Sequence, residues 1–202
     1  MIIAFDGNVY CGKTTLINSI AKDHGFNKIN EHSHYASEGG RDYLKTQKRF
    51  LKVDEKRIKC IKGEVTLLDR SLVSLSAHVW ALYKQGKADI RAEFINELFS
   101  RMDRGKIIMP DLFINVACDY TVTQSRALKH RNSKGTANFL MEEDYFCYIA
   151  EFNKKISGRL QSIFIDSSCP INECKAIIIK SLAEGKTQTK DEIKESIKEA
   201  MK

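Results

Sequence analysis

The segment Gly7-Asn8-Val9-Tyr10-Cys11-Gly12-Lys13-Thr14-Thr15 lies directly behind the apolar run Ile2-Ile3-Ala4-Phe5 and constrains this chain more than any other feature. It fits the GxxxxGK[ST] pattern. Two glycines let the backbone curl with its N–H groups inward, Lys13 is placed to reach β- and γ-phosphates, and Thr14 offers a hydroxyl to Mg²⁺. The apolar run in front reads as a buried strand. The periodic Thr15-Leu16-Ile17-Asn18-Ser19-Ile20-Ala21 behind reads as a helix whose N-terminus faces the phosphates. The alternative is an ordinary glycine turn before a helix, but strand, loop and helix occur in the order that a phosphate-binding loop requires.

Further along, short apolar runs alternate with longer helical patterns, which argues for a parallel sheet wrapped by helices. The strands are expected at Ile2–Phe5, Lys28–Asn30, Glu64–Leu68, Asp111–Ala117 and Ser162–Ile165. Helices are expected over Thr14–Asp23, Arg41–Lys62, Ser71–Lys84, Ala88–Asp103, Thr121–His130, Glu142–Leu160 and Ile171–Ala183. The Ser71–Lys84 helix is apolar nearly all round, so it should lie between other elements. Residues 184–189 read as a linker. In the following Lys190–Lys202, Ile193, Ile197 and Met201 repeat every fourth residue, and Thr189 with Glu192 forms a capping box. That tail is expected to be an amphipathic helix docked on its own core. The division is thus a domain over residues 1–183 and a linker with terminal helix over 184–202.

With 202 residues and 43% hydrophobic content, the chain can bury a full core. Its formal charge of +7 fits a nucleotide site as well as a nucleic-acid surface. The six cysteines are scattered without a CxxC pair, as expected for reduced thiols in a cytoplasmic protein. No run approaches the ~20 apolar residues of a membrane span, and no secretory leader pattern follows Met1.

Three further groups can carry chemistry. Asp69-Arg70-Ser71 ends the third strand at the carboxyl edge, where open α/β sheets bind ligands. There Asp69 can hold Mg²⁺ and Arg70 can clamp an acceptor oxygen or a phosphate. The plainer reading is a surface ion pair capping the next helix. Glu31 follows the second strand and could accept the proton of an attacking hydroxyl. The adjacent His32 and His34 are read as solvated loop histidines rather than metal ligands. Arg126, Lys129, His130 and Arg131 lead into a polar segment and form a candidate lid over about 126–142, able to supply charge and exclude water. The lysine-rich 41–62 stretch is read as a solvated helix face, with Tyr43, Leu44, Phe50, Leu51, Val53, Ile58 and Ile61 facing the core. Nucleic-acid binding is accordingly not expected.

From Met1 to about Ala183 the chain resembles the deoxynucleoside kinase and thymidylate kinase superfamily. Asp6-Gly7-Asn8-Val9-Tyr10-Cys11-Gly12-Lys13-Thr14-Thr15 is similar to the deoxynucleoside kinase form Glu-Gly-Asn-Ile-Ala-Ala-Gly-Lys-Ser-Thr. Asp69-Arg70-Ser71-Leu72-Val73-Ser74 resembles the Glu-Arg-Ser-Val-Tyr-Ser of those kinases and the Asp-Arg-Tyr of thymidylate kinases. The resemblance implies a three-layer α/β/α P-loop fold with a five-stranded parallel sheet in the order 2-3-1-4-5. It implies ATP and Mg²⁺ as cofactors and phosphoryl transfer to a nucleoside or nucleoside monophosphate. Gly7 through Thr15 would hold the nucleotide and Thr14 and Asp69 the metal. Lys13, Glu31, Arg70, Arg126 and Arg131 would carry catalysis, with Glu31 as base. Val9 stands where thymidylate kinases carry an Asp, and Asn30-Glu31-His32 where they carry Arg-Glu-Pro, which favours an unphosphorylated acceptor. Another small-molecule acceptor and a nucleotide-dependent ATPase or switch remain alternatives. Kinases of this group often pair, and residues 41–62 and 71–84 are the candidate dimer face.

Overall fold

The structure is a computed structural model, and it describes residues 1–36, 42–130, 140, 142–182 and 188–202. The sequence expectations for Arg41, for Arg131 with most of the lid, and for the 184–187 linker lie outside the described residues.

Five parallel strands form one sheet: β1 (Ile2–Asp6), β2 (Asn27–Ile29), β3 (Thr66–Asp69), β4 (Leu112–Ala117) and β5 (Ser162–Asp166), in the order β2-β3-β1-β4-β5. The expected topology holds. The register aligns Phe5 with Asp69 and Asp6 with Asn115, so the ends of β1, β3 and β4 arrive together at one edge. The central strands carry buried residues on both faces, as strands covered by helices on either side must.

One layer holds α1 (Lys13–His24) and α7 (Ile171–Leu182), packed on Ile3, Phe5, Leu67 and Ile114. The opposite layer holds α2 (Tyr43–Ile58), α3 (Leu72–Lys84), α4 (Arg91–Asp103) and α6 (Glu143–Ser157). Its centre is α3, whose residues 72–77 and 79–82 are all buried. The helix offered as one side of a dimer face is therefore covered by its own chain, chiefly by α4 and α6. An α5 helix (Tyr120–His130) leaves β4 towards the phosphate loop.

The terminal helix α8 (Lys190–Ala200) begins with the capping box of Thr189 and Glu192 and buries Ile193, Ile197, Ala200 and Met201 in the larger core cluster. Each fully buried aliphatic side chain contributes about 1.5–3 kcal/mol, which suffices to keep so short a helix in place. Among the described residues no helix is long and apolar enough to cross a membrane, and all six cysteines are free.

Candidate functional site

β1 delivers the chain to the sheet edge, and the loop that follows depends on two glycines. Gly7 has φ +135°, and a Cβ there would sit 2.1 Å from the carbonyl oxygen of Val116 on the neighbouring strand. Gly12 has φ +96° and opens α1, accepting the Leu16 N–H at 3.0 Å. No side chain caps the first turn of α1, so its N–H groups are directed at whatever anion the loop encloses. Lys13 is 5% exposed and donates from Nζ to the carbonyls of Gly7 at 3.2 Å and Asn8 at 2.5 Å. This folds the ammonium back over the loop. Tyr10 adopts φ +55° and its side chain is half-buried, lining the cleft with Val9. Cys11, by contrast, is wholly buried in the cluster below the loop, and the Asn8 amide donates to Phe146 O at 3.2 Å, tying the loop to α6.

Asp69 closes β3 one residue later than the apolar pattern suggests, and its Oδ2 accepts the Thr14 hydroxyl at 2.7 Å. Its Oδ1 is buried with no hydrogen-bond partner. An alcohol oxygen beside a carboxylate with a spare buried oxygen is the kind of hard donor pair that Mg²⁺ takes, the remaining positions going to water and phosphate. The residues present therefore fit this metal.

Glu31 and Arg70 meet across the end of the sheet. Arg70 donates from Nε to Glu31 Oε2 at 2.7 Å and from Nη1 to the Gly7 carbonyl at 3.3 Å, while Ser33 Oγ donates to Glu31 Oε1 at 2.6 Å. Burial alone would raise the Glu31 carboxyl, but the Arg70 charge, the Ser33 and Arg70 hydrogen bonds and the Lys13 charge bring it down to about 2. Burial likewise opposes the Arg70 charge, and Glu31 and Asp69 more than offset it, holding the guanidinium above its ordinary value. Arg70 has φ +61°, a strained turn for a residue with a side chain. Capping of α3 falls to Ser71, whose Oγ accepts the Val73 N–H at 3.0 Å, so the surface-cap alternative for Arg70 is set aside.

Arg126 reaches the same loop from α5. It donates to Ser167 Oγ and Ser167 O, each at 3.0 Å, and to Tyr10 O at 3.4 Å. A cleft of about 720 Å³ is lined by Val9, Tyr10, Gly12, Lys13, Thr14, Thr15, Glu31, Arg70, Arg126 and Ser167. Lys13, Glu31, Arg70 and Arg126 thus share one cavity, and Asp69 joins through Thr14. Lys129 is exposed and does not line it. Arg131 lies outside the described residues.

Several residues at the site were not read from the sequence. Asp6, 2% exposed, accepts from Ser71 N at 2.9 Å, Ser71 Oγ at 2.7 Å, Ser74 N at 3.1 Å and Ser74 Oγ at 2.5 Å. A carboxylate at the N-terminus of α3 locks the phosphate loop to that helix. Its signal was the pair of serines three apart at a helix start. Two expectations need correcting. His32 is 2% exposed rather than solvated, and its Nε2 lies 3.0 Å from Asp54 Oδ1 and 2.8 Å from Arg57 Nη1. The described part of that basic stretch, residues 42–62, is solvated on its lysine face only, because Gln47, Asp54 and Arg57 are buried at 1%, 1% and 0% exposure. Arg57 can be buried because each of its Nη atoms finds acceptors that the sequence pattern does not reveal.

The strand order and the helices on both faces of the sheet define a three-layer α/β/α fold with a glycine loop behind its central strand. Solved structures of deoxyadenosine kinase from M. mycoides share it. One, with products dCMP and a flexible dCDP bound, aligns with TM-score 0.69 and 20% identity over 92% of this chain and 100% of its own. A second, with dATP, gives 0.70 and 19% over 91% and 100%, and a third, with dCTP, 0.66 and 18% over 92% and 100%. No protein-family model and no curated protein matches the sequence.

Proposed function

We propose that the chain is a kinase that transfers the γ-phosphoryl group of ATP to the hydroxyl of a nucleoside. The observation that carries this reading is the placement of the Glu31–Arg70 pair on the same cleft as Lys13, Thr14 and Arg126. The first pair is suited to an alcohol acceptor, and the second group to a triphosphate. The neighbouring structures are of a deoxyadenosine kinase, one of them with dCMP named as a product, and this supports a nucleoside as the acceptor.

In this reading the loop amides and the α1 N-terminus bind phosphate oxygens, and Lys13 turns from the loop carbonyls to the leaving β–γ bridge. Thr14 and Asp69 would hold Mg²⁺, which would supply positive charge to offset that of the phosphates. Arg126, anchored by Ser167, balances charge on the transferred group. Glu31 accepts the hydrogen bond of the attacking hydroxyl, and Arg70 holds that carboxylate in position.

A carboxyl with a pKa of about 2 is a weak base. That suffices where the transition state is loose and the hydroxyl proton leaves late, so Glu31 orients the nucleophile first and receives its proton as the new P–O bond forms. The same ionised Glu31 argues for an unphosphorylated acceptor. Arg70 is already paired with Glu31, so a monophosphate dianion placed there would compete with that carboxylate for the guanidinium. The test is ADP formation from Mg²⁺-ATP with a panel of deoxynucleosides, ribonucleosides and their 5′-monophosphates. Acceptor-dependent ADP with at least one nucleoside is expected. A rate that is the same with and without every acceptor would overturn the reading.

A further inference from the structure

Behind the site lies a buried ionic cluster that the reaction scheme above does not use. Arg57, on α2, is fully buried, and its Nη2 donates to the carbonyl oxygens of Asp69 at 2.7 Å and Arg70 at 2.8 Å. Its Nη1 donates to Asp54 Oδ1 at 2.8 Å and lies 2.8 Å from His32 Nε2. Asp54 Oδ2 in turn accepts the Ile108 N–H at 3.3 Å, on the approach to β4. One guanidinium therefore joins the residue after Glu31 to the two carbonyls at the end of β3, where Arg70 takes φ +61°.

We propose that Arg57 is a positioning residue for phosphoryl transfer. By holding the Asp69 and Arg70 carbonyls, it fixes the left-handed turn that sends the Asp69 carboxylate to Thr14 and the Arg70 guanidinium to Glu31. The inference rests on the kinase reading for its kinetic consequence, but its structural consequence stands alone. A turn that is costly for a non-glycine residue persists only where its surroundings over-determine it. The Arg70 N–H bond to Phe5 O at 3.0 Å fixes one side of that peptide, and Arg57 fixes the other. A planar fork can bridge two neighbouring carbonyls and a carboxylate, whereas a lysine ammonium of similar charge cannot reproduce that geometry. Asp54 supplies the counter-charge that lets the guanidinium be buried, and His32 sits 2.8 Å from Nη1. The His32 ring is held below its ordinary pKa, first by burial and then by the Arg57 charge, so Asp54 and Arg57 form the charged pair and the ring serves as a neutral hydrogen-bonding partner.

The test uses the full chain and three variants. Arg57→Lys keeps the charge and loses the fork. Asp54→Asn/Arg57→Met removes both charges together, which avoids stranding one buried ion and protects the fold. Asp54→Asn alone leaves the fork on both carbonyls. Two readouts are taken: kcat and KM with the best acceptor of the panel, and the NMR signal of the Arg70 Nε–H, assigned by its disappearance in Arg70→Lys.

Expected are a loss of kcat of about tenfold to hundredfold in both Arg57 variants, the size that small misplacements near a reacting centre produce. KM for ATP should stay within about twofold, since the Arg57 fork bonds to His32, Asp54 and the Asp69 and Arg70 carbonyls rather than to Gly7–Thr15, and the protected Arg70 Nε–H signal should be lost. Asp54→Asn should melt earlier yet keep kcat and the signal. Wild-type kcat and an unchanged Arg70 signal in the double variant would overturn the proposal, as would an equal loss of kcat in Asp54→Asn. Should no acceptor be turned over by the wild type, the kinase reading fails and the Arg70 signal alone decides whether Arg57 sets the turn.

Discussion

Replacing Gly7 by Ala places a methyl carbon 2.1 Å from the Val116 carbonyl oxygen, where real contacts stay beyond 3.0 Å. Relief requires a shift of about 1 Å in backbone, because the obstacle is the neighbouring strand β4 rather than a flexible side chain. Overpacking of this kind costs about 1–3 kcal/mol, and the positive φ adds about 1–2 kcal/mol. A chain of this size loses about 2–4 °C of melting temperature per kcal/mol, so Gly7→Ala should melt about 4–20 °C lower. Gly25 is the internal control, since it shares a positive φ of +67° but has nothing within 4 Å. Gly25→Ala should cost only the conformational part, about 1–2 kcal/mol. Affinity separates the two more sharply. A displacement of the loop should weaken binding of a fluorescent ATP analogue by about tenfold or more, whereas Gly25→Ala should leave it unchanged. Calorimetric melts and nucleotide titration of both variants provide the assay. If Gly7→Ala melts with Gly25→Ala and binds nucleotide as the wild type does, the close approach of loop and β4 does not hold the site.

Ile197 is fully buried between the terminal helix and the core, so Ile197→Ala should destabilise by about 2–5 kcal/mol. Lys194→Ala, which breaks the ion pair with the half-exposed Asp103, should cost about 0–1 kcal/mol; equal melting temperatures for the two would show that α8 is not docked. The Glu31 carboxyl sits at about 2 in the fold against an ordinary 4.5, so its contribution to stability is complete above pH 4.5 and is lost as pH falls from there towards 2. Urea midpoints measured from pH 6 to 3 should therefore fall less steeply for Glu31→Gln than for the wild type, and parallel curves would contradict the Arg70 pairing.

The frame of this fold is legible in the sequence because its signals are local. Ile2–Phe5, the glycine loop and the helix behind it follow one another without a gap, and the charged pair after Leu68 marks the next strand end. Convergence of Lys13, Glu31, Asp69, Arg70 and Arg126 follows from strand order, since parallel strands deliver their carboxyl ends to one edge. What stayed hidden depends on partners far along the chain. Asp54 and Arg57 look like members of a solvated face because a charge pattern on a helix carries no sign of the carbonyls at Asp69 and Arg70 that allow them to be buried. The burial of His32 is hidden for the same reason. Asp6 lies outside the phosphate-binding pattern itself, and only the tertiary position of Ser71 and Ser74 shows it to be the joint between loop and helix.

In the proposed reaction an ionised Glu31 receives an uncharged hydroxyl on the cleft that would hold the triphosphate. It is tested most directly by steady-state kinetics with one nucleoside and its own 5′-monophosphate, in the wild type and in Glu31→Gln. The nucleoside should be the better substrate by kcat/KM, and Glu31→Gln should lower kcat for it by about a hundredfold or more, within the range of a lost general base. A monophosphate phosphorylated as well as the nucleoside, or an unchanged kcat in Glu31→Gln, would contradict it.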